Sequence, residues 1–256
     1  MPSPFSTPLI FVLVVAVIVA GTVSGAAPAP SVTTAATHST YLGSIHAPLT
    51  AKWPDNRLVY LVCHGHSVPA GYFRTPTIRP FDSYPHLTGR IVQDRYPTAM
   101  FEVVRTAIGG ENAEQGAARF AEDVLAKKPD VVTIDYGLND RWIGLDRART
   151  AWSSMIEAAQ AAGVEVILLT PTGDTSANPD DASDPLVLHA GQIRELAEEY
   201  DIALVDSFAI FEQYRAEHGT IGPLMSQSNH PNRAGHALVA QELARWFTEL
   251  EPPAAE

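Results

Sequence analysis

Asp130-Val131-Val132-Thr133-Ile134-Asp135-Tyr136 runs directly into Gly137-Leu138-Asn139-Asp140, and this junction decides the fold. The first seven residues are mostly apolar and rich in β-branched side chains, with no alternation of polar and apolar positions. That pattern suits a strand covered on both faces of a parallel sheet. Of the four that follow, Gly137, Asn139 and Asp140 are turn formers, so the strand is expected to end there. Working outward, similar apolar runs are expected to form strands over 58–63, 100–105, 164–170 and 202–206, with 130–136 as the middle one. Between them lie segments of helical period, near 84–95 and over 112–127, 144–162, 185–200, 207–217 and 232–248. Strand and helix alternate throughout, which predicts an α/β protein: a three-layer α/β/α sandwich around a five-stranded parallel sheet, with function at the carboxyl ends of the strands.

The chain has 256 residues, and the part that could build this core does not begin at its start. Met1 to Ala51 contains no Asp, Glu, Lys or Arg, and Pro8 to Ala20 is an apolar run followed by small residues at Val23-Ser24-Gly25-Ala26-Ala27. The run is shorter than the roughly 20 apolar residues of a spanning helix and has the length of a secretory h-region. Residues 1–26 are therefore read as a signal peptide or, if retained, a membrane anchor, and the protein as secreted or periplasmic. Residues 27–51, rich in Ala, Pro, Ser and Thr, are expected to be an exposed linker, and 52–250 the catalytic domain.

Formal charge is −12, all of it carried after Ala51. Such a surface repels nucleic acid and favours a neutral substrate. The single cysteine, Cys63, lies in the apolar run Leu58 to Cys63 without a partner for an internal disulfide and is read as a small buried hydrophobe.

Four short segments carry chemistry. In Gly65-His66-Ser67, Ser67 follows the first strand and stands where a hydroxyl nucleophile would face the cleft. In Ile108-Gly109-Gly110, Gly110 comes after the second strand and just before a helix, so its N–H is placed to donate to an anion. Asn139, after the third strand, supplies a side-chain amide donor, while Asp140 is expected to tie loop amides together. His230, before Pro231-Asn232-Arg233-Ala234-Gly235-His236, offers an imidazole that is neutral near pH 7 and can act as base. His236, inside the last helix, is read as a packing residue. A metal site built from His64, His66, His230 and His236 lacks an acidic or thiolate ligand at a recurring spacing, so neither a metal nor a cofactor is called for.

Taken in order, the four segments resemble the SGNH hydrolases, the GDSL family of esterases and lipases, from about Val59 to Phe247. The resemblance implies a flavodoxin-like sandwich with an open site, Ser67 as nucleophile, Gly110 and Asn139 as oxyanion donors and His230 as base. Two departures stand out. The first block usually reads Gly-Asp-Ser and here has His66. The family usually carries an Asp three residues before the catalytic His, and here that residue is Gln227. A Ser67–His230 dyad is expected, oriented by Gln227 or by a main-chain carbonyl, with Asp206 a less favoured substitute carboxylate.

The family spans lipases, thioesterases, arylesterases and carbohydrate deacetylases. Export, together with the aromatic and Arg residues of Tyr72-Phe73-Arg74-Thr75-Pro76 and Arg141-Trp142-Ile143, favours a serine esterase that removes short acyl groups, acetyl foremost, from a small-molecule or glycan ester. The alternatives are a catalytically impaired relative that binds glycan or a cell-wall partner, and a lipase or thioesterase of longer acyl preference. Membrane association is expected only through a retained N-terminal anchor.

Overall fold

The computed structural model describes residues 36–252; the sequence readings over residues 1–35, including the signal or anchor segment, lie outside the described residues. Five strands form one parallel sheet: β1 (Leu58–Gly65), β2 (Met100–Arg105), β3 (Val131–Asp135), β4 (Glu165–Leu169) and β5 (Ala203–Val205). Their order is β2-β1-β3-β4-β5. Strand order reverses beside β1, so the crevice beyond the carboxyl ends of β1 and β3 is the topological switch point, where open α/β sheets place their sites. The register pairs Gly65 with Asp135 and so sets the loops that follow these two strands side by side.

Alternate residues divide the core in two, as the strand period of two requires. Val59, Leu61 and Cys63 of β1 face one layer, and Val62 faces the other. The first layer holds α1 (Gly43–Thr50), α3 (Tyr84–Arg95), α9 (Ser207–His218) and α10 (Arg233–Thr248). The second holds α4 (Ala113–Ala118), α5 (Phe120–Asp123) and α7 (Leu145–Ala161), with Trp152, Met155 and Ile156 of α7 fully or almost fully buried. Helix α8 (Pro185–Glu199) contributes to both, through Leu186 and Ala190 on one side and Ile193 and Leu196 on the other. Two single-turn helices complete the site region: α2 (Ser67–Ala70) after β1 and α6 (Gly137–Asp140) after β3. A short antiparallel pair, β6 (Met225–Gln227) and β7 (His230–Pro231), precedes α10. Cys63 is buried, and burial pushes its thiol up to about 12, so it packs as a hydrophobe. No helix among the described residues is long and apolar enough to cross a membrane.

Two expectations are corrected. Residues 36–51 are not an exposed linker: α1 packs on the sheet through Leu42, Ile45 and Leu49, all buried, and Tyr41 exchanges hydrogen bonds with the main chain of Val166. Those three apolar residues recur at helical spacing inside a segment whose Ala, Pro, Ser and Thr content masks them. The helix expected over 112–127 is broken into α4, α5 and a 3-10 turn at Leu125–Lys127, because Arg119 leaves helical geometry between α4 and α5.

If α1 belongs to the core, Leu49→Ala should destabilise the domain by about 3 kcal/mol, the usual cost of removing a fully buried leucine. Urea unfolding of residues 36–252 measures this; a change below about 0.5 kcal/mol, typical of surface substitutions, would return the segment to a linker.

Candidate active site

The site is assembled around the end of β1. Gly65 approaches β3 so closely that a Cβ there would lie 2.4 Å from the Asp135 carbonyl oxygen and 2.7 Å from Pro69 Cγ, so no larger residue fits. The His66 N–H donates to the Asp135 carbonyl at 3.2 Å, and the Ile108 N–H donates to the Gly65 carbonyl at 3.0 Å. Two of the four chemical segments and the end of β3 are thereby tied together around one glycine. The chain then turns sharply into α2, whose first residue is Ser67, and Gly71 closes the turn with φ +89°.

His230 lies opposite. Its Nε2 is 2.9 Å from Ser67 Oγ, and its Nδ1 is 2.8 Å from the Phe73 carbonyl. A carbonyl only accepts, so Nδ1 carries the proton and Nε2 is the free acceptor for the serine hydroxyl, the tautomer a general base requires. Both side chains are nearly buried, Ser67 at 7% and His230 at 6% exposure. Burial, the dominant influence, lowers the His230 pKa from its ordinary value; the Phe73 carbonyl and Asp174 oppose the shift, and positive charge on His66 adds to it.

The group that orients the imidazole is therefore the main-chain carbonyl, and Gln227 is spent elsewhere. Gln227 Oε1 accepts from the Thr75 N–H at 2.9 Å, and its Nε2 donates to Asn229 Oδ1 at 3.0 Å. Its contribution is indirect: it anchors the turn that carries Phe73, which also closes on itself through Phe73 N–H to Thr77 O at 3.0 Å and Arg79 N–H to Gly71 O at 2.7 Å. Asp206 is not a substitute carboxylate. It caps α9 through the Ala209 N–H and pairs with Arg194 at 2.7 Å. Asp174, the carboxylate that acts on His230 through space, is bonded to Arg141 and Ser176.

Gly110 has φ +87°, open space where a Cβ would stand, and an N–H with no protein acceptor among the described residues. The Ser67 N–H, in the first turn of α2, is equally free. Asn139 points its Nδ2 at the Glu111 carbonyl, 2.8 Å away, so it reaches the segment that follows Gly110. Asp140 does what the sequence suggests: it accepts from the Ala113 N–H and from Trp152 Nε1, each at 2.7 Å, and locks α6 against α4 and α7. Burial raises its pKa to about 6. Asn112 caps α4 in a reciprocal capping box with Gln115.

The histidines do not converge on a metal site; among the described residues no group of three or more His, Cys, Asp or Glu is arranged to hold one. His236 is fully buried in α10, accepts from the Tyr84 N–H at 3.3 Å and packs against the Phe73 ring, with its pKa pushed down to about 3 by burial. His64 is buried beneath the Gly110 loop, bonded to Thr106 Oγ1 at 2.8 Å and Tyr136 Oη at 3.0 Å, and burial holds it near 4. Sequence reading passed over Arg119, which joins that group: it bonds the Thr106 carbonyl, Glu111 and Tyr136 and so braces the whole 106–111 loop. Of the aromatic residues expected at the cleft, Tyr72 lies against His230 with ring centroids 5.9 Å apart, Phe73 is buried, and Trp142 is 82% exposed.

A serine–imidazole pair at the switch point of a five-stranded α/β sandwich, flanked by free N–H donors, defines a hydrolase of the serine esterase type. Residues 63–238 match the model of the GDSL-like lipase/acylhydrolase family, and the chain belongs to that family; it is a carboxylic ester hydrolase. It is 28% identical over 169 residues to an acetylxylan esterase of Geobacillus stearothermophilus, covering 60% of this chain and 76% of the relative. The crystal structure of an acetylxylan esterase from the same organism superposes with a TM-score of 0.65 at 25% identity, over 74% of this chain and 94% of that one. An alpha/beta hydrolase from the metagenome of Lake Arreo, Spain, superposes with a TM-score of 0.60 at 25% identity, over 74% and 96%. Variants of the Geobacillus enzyme lacking a serine, an aspartate or a histidine are described as catalytic mutants. In that enzyme the aspartate precedes the histidine by three residues, the spacing at which this chain carries Gln227.

Two outcomes follow from this geometry. Because burial penalises the imidazolium, a lower pH is needed to protonate His230, so the acidic limb of kcat/KM should have its midpoint below the ordinary imidazole value of about 6.5. A profile from pH 4 to 9 measures it, and a midpoint above that value would contradict the assignment. Gln227→Ala removes one hydrogen bond from the Phe73 turn and not from His230 itself. It should lower kcat about five-fold, the kinetic equivalent of about 1 kcal/mol; a loss above a hundred-fold would mean that the amide acts on the imidazole directly.

Proposed function

We propose that the protein is a secreted serine esterase that removes short acyl groups, acetyl foremost, from carbohydrate esters through an acyl-enzyme on Ser67. The observation that carries this reading is the 2.9 Å contact between His230 Nε2 and Ser67 Oγ, with Nδ1 committed to the Phe73 carbonyl. His230 takes the serine proton as Oγ attacks the ester carbonyl. The oxyanion then receives the N–H groups of Ser67 and Gly110 and the Asn139 amide, which exchanges the Glu111 carbonyl for it. The imidazolium returns its proton to the alcohol oxygen as the ester C–O bond breaks. Water, deprotonated by the same imidazole, then releases the acid and frees Ser67.

Support for acetyl and for carbohydrate comes from the relatives, named as acetylxylan esterases, and from Trp142, whose exposed ring three residues beyond Asn139 offers a sugar a face to stack on. The uncharged apolar run of Pro8 to Ala20 supports export.

Hydrolysis of 4-nitrophenyl acetate, butyrate and octanoate and of acetylated xylo-oligosaccharide, each beside Ser67→Ala, tests the reading. The expected result is acetate preference on both substrate types, lost by at least about 1,000-fold in the variant. Preference for octanoate would move the protein to the lipases, and Ser67-independent release would overturn the nucleophile. The same assay on cell and medium fractions of a host making the full chain tests export, which retention of all activity in the cytoplasm would contradict.

A further inference from the structure

Ser67 has a second imidazole beside it. His66, 1% exposed, places Nδ1 3.3 Å from Ser67 Oγ. The same Nδ1 accepts from the Val68 N–H at 3.2 Å, so it bears no proton, and the ring's proton is on Nε2. Nε2 lies 3.3 Å from Asp135 Oδ1, within ion-pair distance inside the core, but makes no hydrogen bond to it or to any other described residue. Asp135 is 3% exposed, and its other oxygen accepts from Tyr84 Oη at 3.1 Å. The Gly65–Asp135 register of β1 and β3 fixes this pairing, since His66 is the residue after Gly65.

Two unprotonated imidazole nitrogens thus face one hydroxyl, His230 Nε2 at 2.9 Å and His66 Nδ1, which also holds the Val68 N–H, at 3.3 Å. The nearer imidazole is backed by a neutral carbonyl. The farther one has a carboxylate within ion-pair distance, whose charge favours an imidazolium formed during acyl transfer even without a hydrogen bond in the resting geometry. The other titratable groups that face His66 are Asp140 from α6, His230 from β7, and Tyr84 of α3 through Asp135. Positive charge on His66 disfavours protonation of His230.

We propose that His66, backed by Asp135, is a second general base for Ser67. This rests on Ser67 being the nucleophile. On this route the Ser67 proton passes to His66 Nδ1 while Oγ bonds to the ester carbonyl carbon and the carbonyl π pair moves to oxygen. When that pair returns, the ester C–O bond breaks and the proton on Nδ1 passes to the departing alkoxide; Nε2–H faces Asp135 throughout. Deacylation repeats the sequence with water in place of the serine. Protonating Nδ1 takes the acceptor away from the Val68 N–H, and the contact to Oγ is long, so the His66 route is the slower of the two.

The test uses Ser67-dependent hydrolysis of 4-nitrophenyl acetate by the full chain, with Ser67→Ala as baseline and wild-type turnover establishing the nucleophile first. His230→Ala should retain activity at least ten-fold above that baseline. Adding His66→Asn, which keeps a cap acceptor for Val68 but no base, should bring it down to the baseline. Adding Asp135→Asn to His230→Ala instead should lower the residual rate several-fold and move its acidic limb to lower pH, because the imidazolium has lost its carboxylate. Labelling of Ser67 by a fluorophosphonate should follow the same order, and circular dichroism melting of each variant establishes that it is folded. His230→Ala at the Ser67→Ala baseline in a folded protein would overturn the proposal, as would a residual activity unmoved by His66→Asn. Failure of wild type to exceed Ser67→Ala would instead remove the esterase reading on which the proposal stands.

Discussion

The contact between Gly65 and the Asp135 carbonyl is the constraint on which the site depends. Parallel strands bring their carboxyl ends to one edge, but they do not by themselves bond the loops that follow them to one another. Here the absence of a side chain at position 65 lets β1 close on β3, and the Gly65 carbonyl then takes the Ile108 N–H. The Ser67 turn, the Gly110 loop and the end of β3 become one unit. His230 is the exception, since it arrives from the far end of the chain on the short β6–β7 pair. Ser226 Oγ donates to the His230 carbonyl at 2.9 Å and so fixes the backbone beneath the imidazole.

Electrostatically the site differs from the rest of the molecule. The chain carries a net charge of −12, yet His230 beside Ser67, and His64 and His236 in the core beneath the site loops, are imidazoles whose charged form burial disfavours: His64 is held near 4, His236 near 3 and His230 below its ordinary value. Neutral imidazoles supply hydrogen-bonding groups without placing a second negative charge beside a developing oxyanion. Two of the acidic groups near the site are paired with arginines, Asp174 with Arg141 and Glu111 with Arg119. Those two carboxylates therefore oppose a negative intermediate less than unpaired ones would.

Much of this was legible in the sequence, for identifiable reasons. The five strands are apolar runs bounded by turn residues, and each expected range overlaps the observed strand with bounds that differ by a residue or two at most. The places of Ser67, Gly110, Asn139 and His230 at strand ends or helix starts were legible from the turn residues around them, and the structure brings Ser67 and His230 into contact. What was hidden depends on contacts between distant residues. The break at Arg119 is set by partners at Thr106, Glu111 and Tyr136, none of which a helical period reveals. Helix α1 has a composition that reads as linker, and only its docking against β1 and Val166 makes it structure. The orientation of His230 was open between a side-chain amide and a carbonyl, because a main-chain acceptor leaves no mark on residue identity.

That last point bears on how such a site can change over generations. An orienting aspartate can be deleted by one base change, and the catalytic pair is then exposed to every substitution at that codon. A carbonyl contributed by the backbone at Phe73 survives any amino-acid replacement there that preserves the turn, since every residue brings the same oxygen. Its vulnerability lies instead in loop length: an insertion or deletion between Gly71 and Arg79 would carry the oxygen away from the imidazole. In this chain the genetic hazard to catalytic geometry has moved from point substitution to the indel.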